Sequence, residues 1–178
     1  MLYNIYIAFY KIVNKIFKFM LKILSISLFL ISTLAFSFDY EVETHAKRKV
    51  IKSFQISKNK KFISFTLEGT WTDNLGNYGL IEQASSVILN NDNVIELDGY
   101  GKTIYQNNQI TYFRGYRNRQ EKDSGVGQTI ILYSTEDLSS LIGMKCPYAV
   151  KFFSNTAYVI SKCKITEQQK LTLSKITQ

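Results

Sequence analysis

The sequence predicts an all-β protein built as a single antiparallel barrel of eight strands, preceded by an N-terminal signal-peptide helix. Short runs of alternating apolar and polar residues begin after residue 46, and clusters of Asn, Asp, Gly and Ser separate them every eight to twelve residues. No long helical period interrupts this pattern before the C-terminal tail. Eight strands are enough to close a small barrel, and closure removes the exposed edges of an open sheet. The 178 residues fit one domain of ordinary size.

The first 37 residues are typical of a secretory signal peptide. Four lysines precede an uncharged, mostly apolar segment at residues 23–38, and the small residues Ala35 and Ser37 predict cleavage after Ser37. Met20 is an alternative start that leaves a complete signal. An uncleaved anchor is the other interpretation, although sixteen residues fall short of the roughly 20 that span a bilayer core. The segment predicts a periplasmic or secreted protein of a Gram-negative-type bacterium, and the bias toward Lys, Ile and Asn is typical of an AT-rich genome.

The remaining chain divides into an N-terminal extension at residues 38–48, the barrel at 49–166 and a C-terminal tail at 167–178. Removal of residues 1–37 lowers the basic count from 22 to 18 against 14 acidic residues, and the remaining lysines are interpreted as a dispersed, solvated surface. We therefore expect no nucleic-acid partner, and membrane contact only through an uncleaved signal segment. The single histidine, His45, and the two cysteines exclude multi-His and four-thiolate metal sites, so no metal or cofactor is predicted.

The eight strands follow from the turn residues between them, because Asn and Asp tolerate the positive φ of tight hairpin turns. The predicted strands are 49–56, 62–71, 79–90, 94–106, 109–117, 126–134, 146–153 and 156–166. Residues 135–143 break the alternation and predict a short helical turn, and the tail from residue 167 is expected to be helical or frayed.

A two-residue turn at Asn107-Asn108 would set the register between the fourth and fifth strands. Three pairs would then lie opposite each other: Asp98 with Arg117, Glu96 with Arg119, and Gly101 with Arg114. Two opposite-charge pairs on one face favour this register and assign that face to solvent. The reverse face is therefore predicted to be the interior. It holds Ile95, Leu97, Gly99, Gly101, Thr103 and Tyr105 on one strand and Ile110, Tyr112, Arg114 and Tyr116 on the other.

The turn at Asn91-Asp92 would place Glu82 and Arg114 on either side of Gly101 on this interior face. One interpretation is a buried structural ion pair, because an unpaired buried charge costs several kcal/mol. The other is a pocket for a small polar or anionic ligand, in which arginine supplies a fork of donors and tyrosine rings form the walls. The mouth of that pocket would be lined by Glu82, Tyr112, Arg114 and Tyr116. A slip of one residue in either hairpin would turn these side chains outward.

Cys146 and Cys163 are predicted to lie directly opposite each other in the last hairpin, whose turn is Ser154-Asn155. At a non-hydrogen-bonded position their Cα atoms would be ~4.5 Å apart, which a disulfide tolerates. Two cysteines in an exported protein favour the disulfide over free thiols. Pro147 is the weak point of this register, because it cannot donate to a ladder. The core face of the hairpin would pair Val150 with Val159 and Phe152 with Ala157.

Two short segments resemble known families. Gly69-Thr70-Trp71, at the end of a strand, resembles the Gly-x-Trp signature of lipocalins and related calycins. Residues 134–138 with Gly143, after Gly125-Val126-Gly127, are similar to a segment of allene oxide cyclase-like and dirigent-like barrels, where Thr135 and Gly143 match. The resemblance implies an exported eight-stranded barrel with a central cavity, and no catalytic residue is carried over from it.

Three functions are compatible with these predictions. The first is an exported, non-catalytic barrel that binds a small ligand in its interior. The second is an isomerase or cyclase on the same barrel, with Glu82 as acid or base and Arg114 as charge stabiliser. The third is a structural or envelope-associated interaction protein with a filled barrel. An interior void of a few hundred Å³ would favour either of the first two over the third. The sequence leaves the ligand and the oligomeric state open.

Overall fold

The computed structural model describes residues 14–20, 22 and 37–176. The chain divides into two compact units, Met1–Phe36 and Ser37–Gln178. In the first unit, residues 14–20 and 22 are helical, whereas most of the predicted apolar segment and Ala35 lie outside the described residues. Within the described ranges, no helix is both long and apolar enough to cross a membrane.

The second unit is a closed antiparallel barrel of eight strands, which confirms the predicted fold class. The strands are β1 (Ser37–Ser57), β2 (Lys60–Asp73), β3 (Tyr78–Asn90), β4 (Asn93–Tyr105), β5 (Ile110–Glu121), β6 (Ser124–Ser134), β7 (Lys145–Phe153) and β8 (Thr156–Thr166). Each strand pairs with the next along the chain, and β8 returns to pair with β1. A 3₁₀ helix at Glu136–Leu141 joins β6 to β7, as predicted, and an α-helix at Glu167–Ser174 follows β8.

Strand β1 begins at Ser37, so the prediction that residues 38–48 form an extension outside the barrel is wrong. Tyr40, Thr44 and Ala46 are buried, and they alternate with exposed residues such as His45. This is the period-2 pattern of a half-buried strand, here carried by Tyr40 and by the smaller side chains of Thr44 and Ala46. The segment closes the barrel, because it pairs with β8 on one side and, from Val42 onward, with β2 on the other.

The register between β3 and β4 changes at a β-bulge. Asn91 and Asp92 have φ of 48° and 63°, which confirms the predicted two-residue turn. Leu89 lies opposite Val94, but Ile88 lies opposite Glu96, so Ile95 is the extra residue. As a result Glu82 lies opposite Lys102, and the prediction that it lies opposite Gly101 is wrong.

The register between β4 and β5 also differs from the prediction by one residue. The loop has three residues, 106–108, with Asn108 in the left-handed region at φ 65°, and the Tyr105 amide donates to the carbonyl of Gln109. Leu97 therefore lies opposite Arg117, and Tyr100 lies opposite Arg114. The predicted pairs Asp98 with Arg117, Glu96 with Arg119 and Gly101 with Arg114 are wrong. The predicted interior face of β4 is correct at Leu97, Gly99 and Tyr105, whereas that of β5 is inverted.

The last hairpin has the predicted register. Phe153 lies opposite Thr156 across the predicted turn, and Val150 lies opposite Val159. Cys146 and Cys163 form the predicted disulfide, with a Cα–Cα distance of 4.6 Å. Pro147 is exposed on β7 and does not shift the pairing.

The two ends of the barrel are built differently. At one end, named the plugged end, the 3₁₀ helix and the C-terminal helix cover the interior, and Leu138, Leu141 and Leu173 have no exposed surface. Trp71 packs there against Tyr105 with ring centroids 4.7 Å apart. At the other end, named the open end, the four turns β1–β2, β3–β4, β5–β6 and β7–β8 surround the interior.

Candidate functional site

The four residues predicted to line an interior pocket lie on the outer face of the barrel. The guanidinium of Arg114 donates to both carboxylate oxygens of Asp98, at 2.8 and 3.0 Å, and its side chain is 41% exposed. Glu82 instead pairs with Lys102 at 3.1 Å. The predicted ion pair between Glu82 and Arg114 is therefore wrong, since each has its own partner in solvent.

The two predicted tyrosines share this outer location. Tyr112 is 42% exposed and lies beside Tyr133, with ring centroids 6.0 Å apart and the rings tilted by 43°. The Tyr116 hydroxyl donates to Oε1 of Gln128 at 2.6 Å, and the guanidinium of Arg114 lies 5.1 Å from the Tyr116 ring centroid. Glu82 and Tyr112 do border one groove of about 440 Å³, but it lies on the barrel surface and neither Arg114 nor Tyr116 lines it.

The interior arginine is Arg117, which the sequence had placed on the outer face. Its side chain projects inward from β5, and the residue is 3% exposed. One terminal nitrogen donates to the Ser124 carbonyl at 2.9 Å, and the other donates to the Lys122 carbonyl at 3.1 Å. The buried Nε has no hydrogen-bond partner. A guanidinium carries five N–H donors, so part of its bonding capacity is unused.

The charge of Arg117 is also unpaired. Among residues 14–20, 22 and 37–176, no ion pair joins it to a carboxylate. Burial lowers the pKa of Arg117, while the nearby Tyr148 and Asp123 oppose that shift. An arginine nonetheless keeps its proton at neutral pH. The interior thus holds a buried cation that has no carboxylate of the described residues at ion-pair distance, and Asp123 acts on its charge only from farther away.

A cavity leads from the open end of the barrel to Arg117. Its volume is about 280 Å³, and its walls are mainly aliphatic and aromatic. They are formed by Arg48, Val50, Ser53, Lys61, Ile63, Phe65, Val87, Leu89, Val94, Leu97, Arg117, Lys122 and Phe152. A smaller void of about 80 Å³ continues past Arg117 toward the middle of the barrel. Arg117, Phe65, Leu97 and Phe152 border both spaces, so the arginine lies between the mouth and the deeper void.

The mouth of this cavity has a positive charge. Arg48, Lys61 and Lys122 join Arg117 in its lining, and no acidic residue lines either space. Arg48 lies over the Phe152 ring at 4.8 Å from the centroid, and its buried Nε also lacks a partner. Lys122 pairs with Asp92 outside the cavity, at 3.4 Å. The cavity thus combines several positive charges with aromatic and aliphatic walls, and such a site is complementary to a small amphipathic anion.

Below the cavity the barrel is filled by side chains that bend over glycines. Nε2 of Gln83 donates to Oγ of Ser85 at 2.7 Å, and a Cβ at Gly99 would clash with both of these side chains. A Cβ at Gly127 would clash in the same way with the ring of Tyr148. The glycines therefore let polar and aromatic groups fill much of the middle of the barrel, where the void of about 80 Å³ is bordered by Gln83 and Tyr148.

The alternation of residues along β5 does not by itself locate Arg117. Thr111, Phe113, Gly115 and Arg117 form one face of β5, and Tyr112, Arg114 and Tyr116 form the other. Both faces mix aromatic and basic residues, so alternation alone does not separate inside from outside. The loop decides it, because Asn108 in the left-handed region is typical of a three-residue loop, which shifts the pairing by one residue.

The fold and the site together define an antiparallel eight-stranded barrel, plugged at one end, with a cation-lined cavity at the other. Comparison with protein-family models, curated proteins and solved structures finds no match to this chain. Within the described part of the chain, no three His, Cys, Asp or Glu side chains are grouped as ligands for a metal ion.

Proposed function

We propose that this protein binds a small, mostly apolar ligand that carries one anionic group, in the cavity at the open end of the barrel. The observation that carries the proposal is Arg117, a buried guanidinium with an unpaired Nε in a cavity without acidic residues. A buried charge without a counter-ion is costly, and a carboxylate or phosphate on a ligand would supply both the missing charge and the missing acceptor.

The walls and the volume limit the ligand further. Phe65, Leu97 and Phe152 offer apolar contacts around the guanidinium, so the remainder of the ligand is expected to be hydrocarbon or aromatic. The cavity volume of about 280 Å³ is just below the ~300 Å³ at which small-molecule pockets begin. A short acyl chain or a single ring system with an acidic group meets these limits, whereas a large cofactor exceeds them.

The proposal places this binding outside the cytoplasm. The signal-like N-terminus is the sequence feature that supports export, and the disulfide between Cys146 and Cys163 is compatible with an oxidising compartment. A catalytic role for Glu82 with Arg114 is not part of the proposal, because that role required both groups inside the barrel.

Calorimetric titration with a matched pair of ligands tests the proposal. The probes are a medium-chain carboxylic acid and the alcohol of the same chain length, and the variants are Arg117→Met and, as a control, Arg114→Met on the outer face. A hydrogen bond to a charged group contributes roughly 1.5–3 kcal/mol, so Arg117→Met should weaken binding of the acid about 10- to 150-fold. Binding of the alcohol, and all binding by Arg114→Met, should change little.

Two outcomes would contradict this assignment. Equal affinity of the unmodified protein for the acid and the alcohol would show that the guanidinium does not recognise the anion. An unchanged affinity of Arg117→Met for the acid would place binding elsewhere, and the outer groove beside Glu82 and Tyr112 would then be the next site to vary.

A further inference from the structure

The basic residues of the barrel are concentrated in one hairpin. Between Glu43 and Glu68 the chain has seven lysines and arginines and no acidic residue. The remainder of the chain from residue 37 has 11 basic and 14 acidic residues, so its net charge has the opposite sign. The segment at residues 47–63, named here the basic hairpin, comprises the end of β1, the turn and the start of β2. The predicted dispersion of surface lysines is therefore wrong.

The basic hairpin extends past β8 on one side, whereas on its other side β2 is paired with β3 as far as Lys60 opposite Asn90. Pairing of β1 with β8 ends at Lys47 opposite Thr156, whereas β1 continues to Ser57. Beyond Lys47 one edge of β1 has no neighbouring strand among the described residues. This segment of β1 exposes large apolar side chains that would be buried in an ordinary strand. These are Val50 at 50%, Ile51 at 50%, Phe54 at 56% and Ile56 at 51%.

The turn between β7 and β8 extends this surface. Phe153 is 80% exposed, and the guanidinium of Arg48 donates to the Ser154 carbonyl at 3.0 Å, which ties the turn to β1. Lys47, Lys49, Lys151 and Phe153 border one groove on the outer face, where Glu68 is the one acidic residue in the lining. Apolar and cationic side chains are thus interspersed across the whole surface, as in segments that lie in the headgroup region of a membrane.

The charge of this surface selects among its possible occupants. A second copy pairing edge to edge along β1 would bring two sets of seven positive charges together, and register shifts near Val50 and Gln55 disrupt the edge further. A nucleic acid would supply phosphates and could stack bases on Phe54 and Phe153, but it would leave the aliphatic Val50, Ile51 and Ile56 without an apolar partner. An anionic phospholipid bilayer satisfies both features, because its headgroups attract lysines and its acyl boundary accepts aliphatic side chains.

We infer that the basic hairpin docks the barrel onto an anionic phospholipid bilayer. Val50, Ser53 and Lys61 belong to the hairpin and also line the cavity, so docking turns the open end of the barrel toward the lipid. An amphipathic ligand would then pass between bilayer and cavity without crossing bulk water. The observations that support the docking surface are its exposure and its charge. The inference is therefore independent of the ligand proposed for the cavity.

A tryptophan placed on the hairpin tests which face meets the lipid. Phe54→Trp reports from the hairpin, and Leu171→Trp reports from the plugged end at a matched exposure of 54% against 56%. The natural Trp71 is 3% exposed and supplies a constant background. With vesicles of phosphatidylglycerol and brominated phosphatidylcholine, the full chain carrying Phe54→Trp should show a blue shift and quenching. Leu171→Trp should show neither. This pattern would attribute the contact with lipid to the hairpin and not to the N-terminal segment.

Variants that lack surface lysines provide a second test of the inference. Lys52, Lys58 and Lys60 are changed to Gln together, and the control changes Lys145, Lys164 and Lys175, near the plugged end, by the same net charge. Each surface lysine contributes about fivefold to affinity for an anionic bilayer, so the variant that lacks three of them should bind phosphatidylglycerol vesicles on the order of 100-fold more weakly. The control should lose much less, and added salt should remove the difference.

The inference is overturned by any of three results. One is quenching of Leu171→Trp in place of Phe54→Trp. Another is an equal loss of binding in the two lysine variants. The third is a response of Phe54→Trp to a single-stranded oligonucleotide and none to vesicles.

Discussion

At the plugged end the carboxylate of Asp73 accepts hydrogen bonds from the Tyr40 hydroxyl at 2.8 Å and from the backbone amides of Leu75 and Asn77 at 2.9 and 2.8 Å. At the open end Arg117 has two carbonyl partners, an unpaired Nε and no carboxylate. Asp73 is half-buried and Arg117 is buried, yet only Asp73 has its hydrogen-bonding capacity well used by the protein. At the plugged end the protein itself satisfies the charged group, whereas at the open end the Arg117 guanidinium still lacks an acceptor for its Nε.

The largest expected effect is on stability at the plugged end. Leu138→Ala removes a side chain with no exposed surface and should lower the free energy of unfolding by about 2–5 kcal/mol. Leu171→Ala, at an exposed position of the neighbouring helix, should change it by less than about 0.5 kcal/mol. Urea unfolding followed by circular dichroism measures both. If Phe153→Ala at the open end cost as much as Leu138→Ala, stability would not be concentrated at the plugged end.

The next effect concerns the disulfide between Cys146 and Cys163. Replacing both cysteines by Ala should lower the free energy of unfolding by about 2–4 kcal/mol, because the unfolded chain gains freedom across a separation of 17 residues. Reducing the unmodified protein should reproduce the loss in a thermal melt, and the double variant should not respond to the reductant. A double variant as stable as the oxidised protein would show that side-chain packing alone maintains this end.

A smaller effect of opposite sign is expected at the open end. Arg117→Met replaces an uncompensated buried cation with an apolar side chain of similar length, so the free energy of unfolding of the ligand-free protein should rise by about 1 kcal/mol. The same substitution should weaken binding of an anionic ligand, which separates stability from function at one residue. A marked loss of stability would mean that the bonds to the Ser124 and Lys122 carbonyls outweigh the buried charge.

The smallest effect at neutral pH involves Tyr148, whose pKa burial raises to about 12 while the positive charge of Arg117 opposes the rise. Because the phenol loses its proton near pH 10 when unfolded, its contribution is complete below that pH and is lost as the pH rises toward 12. Tyr148→Phe should therefore reduce the alkaline loss of stability between pH 10 and 12. In Arg117→Met, absorbance titration should show a still higher pKa for Tyr148; an unchanged value would mean that the two side chains do not interact.

The residues of a turn were enough to predict that turn where they favour one geometry. Asn91-Asp92 and Ser154-Asn155 are two-residue turns, and in the last hairpin the register runs without interruption to the disulfide. The β4–β5 loop differs, because adjacent asparagines at 107 and 108 are compatible with either a two-residue or a three-residue loop. The additional loop residue shifts the pairing of β4 with β5 by one position, which places Arg117 rather than Arg114 in the interior.

The sequence by itself determined the number of strands, their order and the disulfide, because these depend on alternation and turn residues that act over a few positions. The tertiary structure alone decided which arginine is buried and where the first strand begins. Bulges and loop lengths change a register by one residue at almost no local cost, and only packing of the closed barrel selects among the alternatives. Barrel closure likewise recruits residues 37–48, whose weak alternation becomes a strand because β8 would otherwise keep a free edge.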